Sequence, residues 1–296
     1  MLRIIAARLS QVLLPALMTA VLAVGLAGCS TIKVAYNNSP ELAYWWLDGY
    51  LDFDSTQSAR VREELDRLLA WHRRAELPQW LSLLQRAQAL APNDSSPAQA
   101  CELGEAMRTR LLALTEHAEP AAAELAMSLG PAQLAQLQQK YARLNADYRS
   151  EWLAKSPEEQ QKKRYERWVD RSEDFYGNLN DAQKKAMRQM LAESVFNPAL
   201  FDAERRRRQG VMLSTLRAIG ADSGASPAEA RAALHAYVRT VVEAPPGRWH
   251  EQQQALWQEG CRNFAKLHNM TSPGQREQAV RRLREYETDL RELVAQ

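Results

Sequence analysis

Hydrophobic residues recur at intervals of three and four along most of the chain. The clearest runs are Val61, Leu65, Leu68, Leu69 and His72, and Leu134, Leu137, Tyr141, Leu144 and Tyr148. This spacing places apolar side chains on one face of an α-helix and leaves the other faces to charged residues. No segment alternates apolar and polar residues between hairpin turns, as the strands of a sheet would. The pattern therefore predicts an all-α protein.

Four of the predicted helices begin with the same signal, Ser-Pro followed by Glu or Gln at the third helical position. These starts are Ser96–Gln99, Ser156–Glu159, Ser226–Glu229 and Ser272–Gln275. The Ser hydroxyl caps the first turn, Pro loses no hydrogen bond there, and the Glu or Gln bonds back to the Ser amide. Because most breaks between helices are short, we expect an elongated multi-helix bundle of about nine or ten helices. It would form one domain, residues 29–296, and two lobes joined near residue 220 are an alternative.

The first 28 residues have the layout of a bacterial secretion signal. Arg3 and Arg8 precede an apolar stretch from Leu9 that ends in Leu-Ala-Gly-Cys. This ending resembles the lipobox, where a peptidase cuts between Gly28 and Cys29 once the cysteine carries a diacylglyceryl group. The resemblance implies diacylglyceryl and N-acyl (palmitate-type) groups on Cys29. A plain signal peptide or an uncleaved membrane anchor is the alternative.

The expected acyl groups decide where the protein would reside. Two or three chains anchor a protein firmly, whereas a single chain binds a membrane only marginally. Ser30, and not Asp, follows Cys29, and in enteric lipoproteins this sends the protein to the outer membrane. We therefore expect a lipid anchor in the outer membrane of a Gram-negative bacterium, with the domain facing the periplasm.

Charge and hydropathy narrow the possible partners. Loss of residues 1–28 removes Arg3 and Arg8 but no acidic residue, so the formal charge of +2 falls to zero. A chain without net charge lacks the field that attracts nucleic acid, and we exclude nucleic acid as a partner. The mean hydropathy of −0.48 excludes a protein that spans the membrane many times.

Two cysteines remain once Cys29 is acylated. They are Cys101 and Cys261, and in the oxidising periplasm an even remainder favours a disulfide. Two separate buried thiols are the alternative.

Three short segments share a frame of apolar residue, capping residue and Gln. They are Leu179–Gln183, Leu129–Gln133 and Phe53–Gln57. The frame resembles the Leu-Thr-x-x-Gln motif of small helical periplasmic chaperones, which implies holding of unfolded clients on a helical surface. The alternative is an ordinary capped helix start, which is favoured in any helical protein.

A longer resemblance covers the N-terminal part of the mature chain. It rests on Tyr36-Asn37, Tyr44 to Leu47, Asp52 to Asp54, Gln57, Trp71 to Arg73 and Leu77-Pro78. These residues resemble an uncharacterised proteobacterial lipoprotein family that is classed as a domain of unknown function. The resemblance implies a lipobox, a helical mature domain and an envelope location, and it implies no activity.

Catalytic and metal-binding motifs are missing from the sequence. The five histidines are not spaced as metal ligands, since Gln254 stands where a zincin helix after His250 would need its second His. There is no nucleophile elbow, phosphate-binding loop or dinucleotide fingerprint. We therefore expect no enzyme, no metal and no cofactor beyond the acyl groups on Cys29.

The candidate binding residues are aromatic or basic. Adjacent Trp45 and Trp46 cover a broad helix face, which favours packing inside the bundle over a place at the membrane interface. Trp71 and His72 would lie on one helix, where His72 faces Glu76. The run that contains Arg205 and Arg206 would bind lipid phosphates or an acidic partner, or form a solvated collar paired with nearby acids.

These observations predict a lipid-anchored periplasmic protein that binds an unknown envelope protein or client, in the manner of a holding chaperone. One alternative is an enzyme, or the activator of one, that acts on peptidoglycan or lipid through Trp71, His72 and Glu76. The other is a structural tether for an envelope complex.

Overall fold

The structure, a computed structural model, describes residues 28–221 and 224–296, with side chains from residue 32 onward. Most of the expected signal peptide, 1–28, and the Cys29 side chain lie outside the described residues. Cleavage between Gly28 and Cys29 and acylation of Cys29 therefore stay predictions.

The described residues form helices and no strand, which confirms the all-α class and the multi-helix bundle. The helices are α1 Gly28–Asn37, α2 Ser39–Leu51, α3 Ser55–Trp71, α4 Leu77–Leu90, α5 Pro97–Met127, α6 Pro131–Tyr148, α7 Pro157–Tyr176, α8 Asp181–Ala192, α9 Pro198–Ile219, α10 Pro227–Val242, α11 Arg248–Asn269 and α12 Pro273–Val294. None of these helices is both long enough and apolar enough to cross a membrane.

Two π-turns, His72–Glu76 and Arg149–Leu153, extend helices without a break. The first connects α3 to α4. Pro78 lies just beyond this π-turn and has no backbone N–H to donate. The wider turn lets the helix continue despite the missing hydrogen bond.

The capped starts predicted from the sequence are present. The hydroxyls of Ser96, Ser156, Ser226 and Ser272 each accept a hydrogen bond from the amide at the third helical position, and the residue there bonds back to the Ser amide. These caps satisfy amides that would otherwise have no partner at the helix ends.

Two further helix starts face each other through a pair of glutamines. Gln57 Nε2 donates to Gln133 Oε1 at 3.2 Å, and Gln133 Nε2 donates to Gln57 Oε1 at 2.7 Å. Each amide also donates into the loop before its partner's helix, Gln57 to the Ser128 carbonyl at 2.9 Å and Gln133 to the Asp52 carbonyl at 3.2 Å. The first turns of α3 and α6 are locked together in this way.

The same arrangement is repeated later in the chain. Gln183 Nε2 donates to Gln275 Oε1 at 2.7 Å and to the Met270 carbonyl at 2.9 Å. Gln275 Nε2 donates to Gln183 Oε1 at 3.2 Å and to the Asn178 carbonyl at 2.9 Å. In both pairs the accepting carbonyl lies five residues before the partner glutamine. The chain therefore contains two equivalent pairs of helix starts, in which α3 corresponds to α8 and α6 to α12. We call α1 to α6 the first half of the chain and α7 to α12 the second half.

The halves pack by exchanging helices. From the first half, α4 lies on α12, where Gln85 and Gln88 donate to Glu287 at 3.0 and 2.6 Å. From the second half, α9 lies on α6, where Arg217 donates to Gln138 at 2.9 Å. Between them α5 packs against α10 and α11, and a disulfide joins Cys101 of α5 to Cys261 of α11 with Cα atoms 5.3 Å apart.

Candidate functional site

An apolar groove runs along α3 in the first half of the chain. One part is a 270 Å³ cavity between α3 and α5, and the other is a 230 Å³ cavity between α3 and the helices α1 and α2. Leu65 and Leu68 line both cavities, so the two lie side by side along α3. We call this feature the α3 groove, and its apolar lining is Pro40, Ala43, Leu47, Val61, Leu65, Leu68, Leu69, Leu114, Ala118, Ala121, Ala122 and Leu125.

Small residues keep the groove open. Helix α5 presents Ala118, Ala121 and Ala122 to it, and α2 presents Pro40 and Ala43. Alanine and proline side chains are short, and they leave the space beside α3 unfilled. The groove is therefore an apolar concavity of the kind that binds apolar ligands or side chains.

The equivalent region of the second half is filled by the chain itself. Counted from the paired glutamines, Val61 corresponds to Met187, Glu64 to Met190 and Leu125 to Leu267. These three counterparts form one buried cluster with Val169, against which Tyr165 and Trp168 of α7 pack. When the last residues of α2 and α7, Leu51 and Tyr176, are aligned, the positions of Tyr165 and Trp168 on α7 correspond to Pro40 and Ala43 on α2.

Aromatic and histidine side chains close one end of the groove. Trp71 stacks on His117, with ring centroids 3.8 Å apart and an interplanar angle of 5°. His72 Nδ1 lies 2.9 Å from the Tyr36 hydroxyl, and both residues line the cavity. Burial lowers the pKa of His72 below its usual value, against the weaker opposing effect of Glu76. The lowered pKa favours a neutral imidazole at His72, which pairs with the Tyr36 hydroxyl at this end of the groove.

Charged side chains at the rim are paired with one another. Arg60 of α3 bonds to Glu124 of α5 beside the opening, and Arg67 bonds to Glu63 and Glu64 on its own helix. The charges of the rim thus compensate each other, and the apolar lining dominates what the groove can bind.

Of the candidates from the sequence, His72 lines this groove and Trp71 stacks on its lining residue His117, but Trp45 and Trp46 do not line it. The expectation that Trp45 and Trp46 pack inside the bundle is wrong, because their side chains are 61% and 62% exposed. The neighbouring Tyr44 takes the inward position and donates to Ser58 Oγ at 3.0 Å.

Arg205 and Arg206 lie away from the groove, on α9. Both bond to Asp202, whose side chain is 1% exposed, and Arg207 and Arg208 bond to the buried Glu204. Arg205 also lies over the Tyr148 ring at 4.2 Å. These guanidinium groups neutralise buried carboxylates, which is the pairing with local acids that the sequence offered as one interpretation.

No three His, Cys, Asp or Glu side chains converge as metal ligands within the described ranges. Sequence reasoning missed the alanines of α5 that open the groove, since a run of alanines also fits an ordinary packed helix. It identified the frames around Gln57 and Gln133 but not their pairing.

The comparisons with known proteins identify one family. The model of a family of unknown function, DUF6279, matches residues 49–227, from the end of α2 to the first residue of α10. The match includes all of α3 and α5. No curated protein and no solved structure matches the chain.

Proposed function

The chain belongs to DUF6279, and because the function of that family is unknown, we propose from the geometry that this protein is a holding protein of the cell envelope. It binds apolar segments of client proteins in the α3 groove and prevents their aggregation. Binding occurs by burial of apolar surface, with no bond made or broken.

One observation carries the proposal, namely the difference between the two halves. The second half covers its own apolar cluster with Tyr165 and Trp168, whereas the first half leaves the equivalent surface open and lined by small residues. A side chain of the aromatic or aliphatic class therefore fits the groove, because this class fills the counterpart site in the same molecule. The resemblance of the frames at Gln57, Gln133 and Gln183 to the motif of small periplasmic chaperones points in the same direction.

The cellular location of the protein is part of the same proposal. The residues before Cys29 favour an acyl anchor on that cysteine and a domain in the periplasm, and Ser30 after it favours an outer-membrane location. Mass spectrometry of the purified protein measures acylation of Cys29, and Cys29→Ser should release the protein from the membrane fraction. Recovery of the acylated protein with the inner membrane would contradict the outer-membrane assignment.

The holding activity can be tested with residues 30–296 secreted into the periplasm. We expect this protein, near equal molar ratio, to suppress the light scattering of a chemically denatured client during dilution. The variant Ala118→Phe/Ala122→Phe fills the groove and should lose at least half of this suppression. Its control, Ala232→Phe/Ala236→Phe, adds two Phe residues at the same spacing on exposed positions of α10.

The two double variants distinguish client binding in the groove from non-specific binding to exposed phenylalanines. Equal suppression by both would show that the groove is not the client site. No suppression by the unmodified protein at any ratio would contradict the holding function itself. Urea unfolding of each variant verifies that the substitutions leave the fold intact.

A further inference from the structure

The most exposed large apolar side chains of the described residues are concentrated on the first two helices. Leu42, Trp45 and Trp46 are 59%, 61% and 62% exposed, and Val34 is 59% exposed. Leu42, Trp45 and Trp46 are spaced three and four residues apart and so share one face of α2. Val34 lies on the preceding helix, α1. We call these four residues the outer stripe.

The opposite face of the same helices is fixed to the domain. Lys33 bonds to Glu292 on α12, and Asn37 donates to Gln296 at 3.2 Å. The Tyr36 hydroxyl meets His72, and Tyr44, which is buried, donates to Ser58. Because these contacts prevent rotation of α1 and α2, the outer stripe cannot turn inward to bury itself.

The outer stripe begins close to the expected anchor. Helix α1 starts at Gly28, and Val34 follows Cys29 by five residues. At about 1.5 Å per residue, Trp46 lies within about 25 Å of Cys29 along the helices. An acyl group on Cys29 therefore brings the stripe to the membrane surface, where the stripe needs only to lie flat to contact lipid.

The chemistry of the stripe and its borders fits the headgroup region. Indole rings favour this region because they are apolar with one polar N–H. The Cζ atom of Arg62 lies 3.5 Å from the centroid of the Tyr44 ring and 5.8 Å from the centroid of the Trp45 ring. Lys140 lies 5.2 Å from the ring of Tyr50, which packs against Trp46 with centroids 4.8 Å apart.

Arg62 thus borders Trp45, and Lys140 borders Tyr50 beside Trp46, where the lysine charge complements anionic headgroups. Of the two acidic residues on α2, Glu41 is paired with Arg62, and Asp48 accepts a hydrogen bond from the Phe53 amide.

We propose that the outer stripe inserts into the headgroup region of the membrane that holds Cys29, and that it sets the orientation of the domain. This inference rests on the acyl anchor of the proposed function. Ala43 and Leu47 line the α3 groove from the inner side of α2, while Trp45 and Trp46 face outward. The groove is then held within about one helix diameter, about 10 Å, of the lipid surface, where it meets clients at the membrane.

The test uses the acylated protein purified in detergent and reconstituted into vesicles of phosphatidylethanolamine and phosphatidylglycerol. Brominated acyl chains quench only tryptophans that contact the membrane. With two of the 8 tryptophans inserted, about a quarter of the emission should be lost relative to unbrominated vesicles. Trp45→Phe/Trp46→Phe should abolish this loss, because it removes the inserted fluorophores and keeps the apolar face.

The control is Trp257→Phe, which removes a 40% exposed tryptophan from α11 and should leave the quenching in place. Acylated protein that floats with the vesicles but is not quenched would overturn the inference alone and leave a protein partner as the occupant of the stripe. An unmodified Cys29 by mass spectrometry would overturn the anchor and the inference together. The holding assay, which uses protein without an anchor, is independent of both results.

Discussion

Single polar side chains decide how the helices of this protein meet. A glutamine at the third helical position is expected to bond back to its own cap, and Gln57, Gln133, Gln183 and Gln275 all do so. The Nε2 group of each glutamine still has two N–H donors. One donates to the partner glutamine, and the other donates to the carbonyl five residues before that partner. A local capping signal is thereby converted into a tertiary contact.

This double use predicts an unequal cost of substitution. Gln183 is 0% exposed and bonds across to Gln275 and Met270, whereas Gln99 bonds only within its own helix start. Gln183→Met should therefore cost about 1–3 kcal/mol more in free energy of unfolding than Gln99→Met, because it leaves buried groups unpaired. Urea denaturation measures both values.

The pairing itself is tested by a double-mutant cycle. Gln275→Met should cost less in the Gln183→Met background than in the unmodified protein, since its partner is already lost. Additive costs would mean that the two side chains are not coupled.

At the scale of helices and turns, most of the fold was predictable. The start signals at Ser96, Ser156, Ser226 and Ser272 are capped helix starts, because the chemistry of a cap involves only neighbouring residues. The inward and outward faces of α2 were not predictable. Tyr44, Trp45 and Trp46 are all aromatic, and which of them is buried depends on α3 lying beneath Tyr44.

One turn shows how closely the two halves approach. Ala221 donates to the Leu129 carbonyl at 3.1 Å, where the end of α9 passes the loop before α6. A Cβ on Gly220 would lie 2.9 Å from the carbonyl oxygens of both Leu129 and Leu216. Both are backbone atoms, so neither can move aside as a flexible side chain would.

The glycine is therefore required at this position. Gly220→Ala should destabilise the protein by about 1–3 kcal/mol through forced backbone displacement. The matched control is Gly210→Ala in the middle of α9, where a Cβ meets nothing within 4 Å. It should stabilise the protein by about 0.5–1 kcal/mol, because alanine favours the helix. Thermal unfolding followed by circular dichroism gives both shifts, and a neutral Gly220→Ala would refute the close approach.

For the whole molecule, the exchange of α4 and α9 between the halves makes each half depend on the other. The disulfide adds a covalent link between the halves, from α5 to α11, and its cysteines, Cys101 and Cys261, are 160 residues apart in sequence. A link of this span removes much of the conformational freedom of the unfolded chain.

The chain-entropy model gives this link a contribution of about 5 kcal/mol, comparable to the total stability of many domains. Cys101→Ser/Cys261→Ser should therefore unfold at a markedly lower temperature than the unmodified protein. Added dithiothreitol should lower the unfolding temperature of the unmodified protein and leave that of the double variant unchanged. An equal response of the two proteins to dithiothreitol would show that the bond does not stabilise the domain.

Properties that depend on neighbouring residues follow from the amino-acid sequence alone. The 3.6-residue period gives helices, Ser-Pro-x-Glu/Gln gives their starts, and with Cys29 set aside as the expected lipid anchor, Cys101 and Cys261 remain as one pair. Which side chains meet across the chain depends on how the helices pack. The pairing of Gln57 with Gln133, the groove left by Ala118 and Ala122, and the outward face of Trp46 all depend on residues far away in sequence. Such contacts cannot be predicted from local patterns, because an amphipathic helix shows the same 3.6-residue period whichever element packs against it.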